Sequence, residues 1–148
     1  MFFIDTSSET PQVLLNSKHE LLKQTLMKKR PRASEAAIKH SLIAYIAHVT
    51  WSTLFLAAIK DCGGANGEPP DWPSDAVKTK VLRKLLPRVV PEHTDDDARR
   101  DEAVSLFRDT DSARFATLLT KLHSAVQGLI KIDDYVMKTL EATTEGDS

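Results

Sequence analysis

Residues 34–60 read SEAAIKHSLIAYIAHVTWSTLFLAAIK. They decide the fold. Ser34 is placed to cap a helix over about Glu35 to Lys60. Ile38, Leu42, Tyr45, Ile46, Val49, Leu54, Phe55 and Ile59 populate more than one face of it. A helix that is apolar most of the way round sits either at the centre of a bundle or within a membrane. Leu42 to Ile59 is 18 residues long, at the lower limit for spanning a bilayer. His48, Thr50, Ser52 and Thr53 interrupt that span, Tyr45 and Trp51 fall inside it instead of at its edges, and the mean hydropathy of the chain is negative. The stretch therefore reads as a buried core helix, with a membrane-associated helical protein kept as a further alternative.

On its N-terminal side, residues 1–16 carry few helix signals and read as an extended arm. Ser17-Lys18-His19-Glu20 has the form of a capping box, in which Ser and Glu satisfy free backbone N–H groups reciprocally. It predicts a helix to about Lys29 with Leu21, Leu22 and Leu26 inward, stopped by Pro31. On the C-terminal side, Asp61 to Asp75 contains Gly63, Gly64, Gly67, Pro69, Pro70 and Pro73. This is a loop, with Gly63 as the expected helix cap and Trp72 as an anchor folding back onto the core. A third helix from Ser74 or Asp75 to Leu86 turns Val77, Val81, Leu82 and Leu85 inward, with Pro87 and Pro91 bracketing its exit. Thr94-Asp95-Asp96-Asp97 caps a fourth, running to about Arg108 with Ala103, Val104 and Phe107 inward; acids suit the positive end of the dipole. Asp111 or Ser112 opens a fifth, expected to reach about Ala142. Its seam is Phe115, Leu119, Leu122, Val126, Leu129, Asp133, Val136 and Leu140, at alternating spacings of four and three. The expected architecture is an all-α single-domain bundle of about five helices over residues 17–142, with a disordered tail from 143 to 148.

A chain of 148 residues, 41% hydrophobic and 28% charged, has the size and composition of one globular domain. The lone Cys62 cannot form an internal disulfide, so the fold is independent of an oxidising compartment. Met1-Phe2-Phe3-Ile4 ends at Asp5 with no basic region before it, which is not a secretory signal; the expected location is the cytoplasm. The net charge of -1 hides a polarity, with residues 1–90 at +5 and residues 91–148 at -6. Such polarity favours head-to-tail self-association or an anionic partner on one face.

Motifs with chemistry in them are few. His40 and His48 are eight residues apart, not the four of a helical metal pair. His123 resembles a phosphorelay histidine only in its helical setting, without the lysine that follows in those domains. His93 with Asp95 and Asp97 offers metal ligands, but the acids are accounted for by helix capping. No metal and no cofactor are expected. Arg88 and His93 have the arginine, four residues, histidine spacing seen in helical HEPN ribonucleases, where such a pair moves a proton and supports phosphate charge. Pro91 lies between them and Val89 stands where that family places a polar residue. This pair is the enzymatic alternative to a non-catalytic role.

Basic residues form two groups: Lys28, Lys29, Arg30 and Arg32 beside Pro31, and Lys78, Lys80, Arg83, Lys84 and Arg88 on the third helix. Brought together, they would track a nucleic-acid backbone without reading bases. The order of elements resembles the all-helical small subunit of type III CRISPR effector complexes. The likeness rests on a long apolar helix ending Leu54-Phe55-Leu56-Ala57-Ala58-Ile59-Lys60, then a shorter amphipathic helix, then a last helix introduced by Asp109-Thr110-Asp111-Ser112-Ala113-Arg114-Phe115. The glycine-leucine before the apolar helix and the basic end of the last helix are missing here. The resemblance implies a non-catalytic filler that stacks on copies of itself along nucleic acid. The sequence reading is accordingly a helical subunit or adaptor with a protein partner or self-association, and single-stranded nucleic acid as a second ligand.

Overall fold

In the computed structural model, residues 2–5, 12–16, 18–63, 69–109 and 111–131 are described. They form strands β1 (Phe2–Asp5) and β2 (Gln12–Leu15), then helices α1 (Glu20–Met27), α2 (Ala33–Asp61), α3 (Ala76–Val89), α4 (Asp96–Arg108) and α5 (Ser112–Ile130). The bundle is all-α with five helices and one small two-stranded sheet.

The core is built by the C-terminal half of α2 with α3, α4 and α5. Leu54, Phe55, Ala58, Ile59 and Cys62 meet Val81, Leu82, Leu85, Leu86 and Val89 of α3, Ala103 and Val104 of α4, and Leu118, Leu122 and Val126 of α5. The helix ends are closed by short polar side chains. Asp75 accepts from the N–H groups of Val77 and Lys78, Asp95 from Ala98, and Asp111 from Ala113. Each takes up backbone donors that have no partner inside the helix. At the far end of α2, the Arg108 guanidinium donates to the carbonyls of Cys62 and Gly63, at 3.0 and 2.6 Å. Trp72 anchors the loop before α3. Its ring packs on the core, lies 5.4 Å from the guanidinium carbons of both Arg83 and Arg100, and donates through Nε1 to Asp97 Oδ1.

Several expectations need correction. The extended arm is paired on itself as two antiparallel strands, a pairing not foreseen, with Phe2 opposite Leu15 and Asp5 opposite Gln12; two short apolar runs pair because an extended strand alone leaves its backbone unbonded. Residues 6–11, Ser17, Gly64, Gly67 and the tail 143–148 lie outside the described residues. α1 begins at Glu20, capped by His19, and Leu21 is 79% exposed instead of inward. α2 begins at Ala33, one residue ahead of the expected cap at Ser34. Its cap at the other end is Cys62, with right-handed φ, and not Gly63.

α3 continues through Pro87 to Val89. A proline that near a C-terminus forfeits one backbone bond, while the extra turn buries Val89 and leads into buried Val90. α5 stops at Ile130, because Lys131 turns into the left-handed region at φ 50°. Asp133, Val136 and Leu140 of the expected seam lie outside the described residues, and Leu118, not Leu119, is the fully buried position.

The largest correction lies within α2. Its C-terminal half is buried as expected, but Ile38, Ile43 and Tyr45 are 56%, 44% and 49% exposed. Phe55 has no exposed surface, so Phe55→Ala should cost about 3–5 kcal/mol by cavity formation. Tyr45 only meets Phe2 edge-on at 5.9 Å, and Tyr45→Ala should cost about 1 kcal/mol or less. Urea denaturation of both variants measures the contrast, and equal losses would contradict the division of α2.

Candidate docking face

Every large apolar side chain that is exposed among the described residues lies between Phe3 and Tyr45: Phe3, Val13, Leu14, Leu15, Leu21, Met27, Ile38, Ile43 and Tyr45. Scattered single apolar residues are normal on a surface, whereas a concentration in one region marks a site of interaction. The hairpin, α1 and the N-terminal half of α2 carry all of them. β2 is exposed at all four residues. The three elements enclose an open groove of about 550 Å³, walled by Val13 and Leu15 of β2, Leu26 of α1, and Ile43, Ile46 and Trp51 of α2. A second depression of about 480 Å³ lies between α1 and the start of α2, lined by Leu21, Met27 and Ile38 with Lys28 and Glu35 at its rim.

The turn between α1 and α2 is held by charge. Glu35 accepts both from Lys28 Nζ, at 2.6 and 2.7 Å, and from the Arg32 backbone N–H at 2.8 Å. Lys39 Nζ donates to the Lys28 carbonyl. These donors, Lys28 first, hold the Glu35 carboxyl below the usual carboxylate range. Lys29, Arg30 and Arg32 stand exposed on the same turn, beside the apolar depression.

The second basic group is elsewhere. Lys78 pairs with Asp61 at the opposite end of α2. Lys80, Arg83, Lys84 and Arg88 are exposed on α3, Arg83 against Trp72 and Arg88 donating to the Lys84 carbonyl. α2 has 29 residues and α3 has 14. At 1.5 Å per residue these are about 43 and 21 Å long, and α3 starts level with Asp61, so the groups stand roughly 20 Å apart at the least. They do not merge into one patch.

Arg88 and His93 are also separated in role. Arg88 lies in α3, turned back onto its own helix, while His93 is exposed in the connection to α4. Glu92, beside it, is tied to Lys121 of α5. No helix presents the pair on one face, which HEPN-type chemistry needs. Cys62 is fully buried, and burial pushes its thiol up to about 11, so it is protonated at neutral pH and is no nucleophile.

The chain matches no protein-family model, no curated protein and no solved structure.

The apolar face was not legible because the helical apolar residues were given inward positions and the arm was given no packing role. Phe3, Val13, Leu14 and Leu15 were available as a signal: two short apolar runs within an arm with no helix pattern to bury them. The rim ion pair has a direct test. Lys28→Ala should raise the Glu35 titration midpoint toward that of an ordinary glutamate, followed by carboxyl NMR shifts. In wild type, the stabilisation from this contact is present above the ordinary glutamate pKa and fades as pH falls through the lowered one. An unchanged Glu35 midpoint in the variant would show that Lys28 does not hold it.

Proposed function

We propose that the protein is a non-catalytic assembly subunit or adaptor. In this reading, the four-helix core holds out the hairpin, α1 and the first half of α2 as a docking face for another protein surface or a second copy. The single observation that carries it is that, among the described residues, all nine exposed large apolar side chains fall within residues 3–45. Burying such side chains against a partner releases roughly 25 cal/mol for each Å² removed from water, and nothing within the core is lost by doing so. The basic turn at Lys29, Arg30 and Arg32 sets the complement: a partner with an apolar centre and an acidic rim. Charged rims mainly steer encounter and fix register. The two basic groups stand apart rather than in one continuous track, which favours protein association over nucleic-acid contact as the primary role in this reading. The same apolar face is compatible with the self-stacking implied by the resemblance to small CRISPR effector subunits.

One observation favours a second reading, that of membrane association. α2 is long and apolar enough to cross a bilayer, and only 28% of its most apolar window is buried. Spanning would strip Leu54, Phe55, Ala58 and Ile59 from the core, however, and docking on a protein does not.

The double variant Leu15→Glu, Ile43→Glu tests the proposal, since both residues are partly exposed and folding stability should change by only about 1 kcal/mol or less. Sedimentation velocity over a concentration series, and affinity purification with the bound protein quantified, should both show association for wild type in at least one assay and its loss in the variant. A wild type that associates with nothing, or a variant that retains every association, overturns the proposal. Flotation of wild type with vesicles in the absence of protein association would transfer support to the membrane reading.

A further inference from the structure

α5 leaves the end of α4 that Arg108 ties to the C-terminus of α2, and by its middle it has run back beside the middle of α2. There His48 of α2 and His123 of α5 face each other, with ring centroids 5.1 Å apart and ring planes at 66°. Two imidazoles sharing one divalent ion at 2.0–2.1 Å, with a tetrahedral angle between them, also hold their centroids about 5 Å apart.

His48 Nδ1 is buried and has no hydrogen-bond partner, and the same is true of Ser52 Oγ one helical turn further along α2. These two orphans, not bonded to each other here, are complementary as donor and acceptor. Residues four apart on a helix are neighbours, and a metal-bound histidine characteristically donates its other ring N–H to an oxygen that fixes the ring. The geometry points to a divalent transition-metal site between α2 and α5, with His48 Nε2 and a ring nitrogen of His123 as ligands and Ser52 Oγ accepting from His48 Nδ1–H.

The donor set specifies the class of ion. Two neutral imidazoles select Zn²⁺, Ni²⁺ or Cu²⁺ over the oxygen-seeking Mg²⁺ and Ca²⁺. Among the described residues, no group of three or more His, Cys, Asp or Glu side chains assembles as a metal cage. Water therefore completes the coordination, and the bound ion is exchangeable. Its mechanical effect is a clamp joining α2 at residue 48 to α5, just where α2 passes from its buried half to its exposed half. The site stands independently of the docking face.

The test uses full-length protein freed of metal by a chelator and titrated with Zn²⁺ by calorimetry, with the thermal midpoint followed in parallel. One ion per chain should bind saturably and raise the midpoint, while Mg²⁺ at the same concentration does neither. His123 is exposed, so His123→Ala should fold normally and lose the saturable binding. Ser52→Ala should weaken binding about tenfold, the usual cost of removing an orienting partner. Cobalt substitution should give a visible absorption band that disappears in His123→Ala. Absence of saturable binding, or Zn²⁺ binding that His123→Ala leaves unchanged, overturns the proposal; the second result would assign the ion to other histidines of the chain.

Discussion

Burial of the last two turns of α2 is the constraint on which the rest of the structure depends. Leu54, Phe55, Ala58 and Ile59 of α2, with Cys62 just past its end, are buried in one cluster with the cores of α3, α4 and α5, and Trp51 and Leu56 pack against it. Phe55 and Ile59 are fully enclosed, and each buried side chain of that size contributes roughly 1.5–3 kcal/mol of transfer free energy. Arg108 closes the same end by taking the two carbonyls that follow the helix. With one end fixed in this way, α2 acts as a rigid beam. Its regular backbone bonding carries the first half out beyond the core, and the hairpin and α1 have that half to pack against.

Among the described residues, the outer half is covered on one side only. Phe2 stacks edge-on against Tyr45, and Leu22 and Leu26 of α1 are half-buried against the helix. Ile38, Ile43 and Tyr45 are exposed, and the α1–α2 turn is held by the Lys28–Glu35 ion pair. An exposed ion pair contributes little to stability, so the turn is positioned more than it is stabilised. The result, among the described residues, is a densely packed module at one end of α2 and a thinly covered apolar face at the other.

Much of the core was legible in the sequence. The apolar pattern of α3, the aspartates at 75, 95 and 111 as caps, and Trp72 as an anchor all follow from local rules, because periodicity and capping depend on neighbours in sequence. What was not legible depends on tertiary partners. Ile38, Ile43 and Tyr45 have the same pattern as Phe55 and Ile59, and only the number of helices available decides which half of α2 is covered. The hairpin was hidden because four-residue strands show little alternation. His48 and His123 are 75 positions apart, and each alone reads as an ordinary boundary histidine. Arg88 and His93 show the converse: only five positions apart in sequence, they are separated by the end of α3.

The division of α2 is the central claim, and native-state hydrogen exchange measures it residue by residue. In the dilute free protein, amides around Leu54 to Ile59 should exchange only through global unfolding, with the free energy and denaturant dependence of the whole domain. Amides around Ile38 to Tyr45 should exchange through a smaller opening of lower free energy and weaker denaturant dependence, since fewer buried contacts hold them. Uniform protection along all of α2, with both halves tracking global stability, would contradict the account.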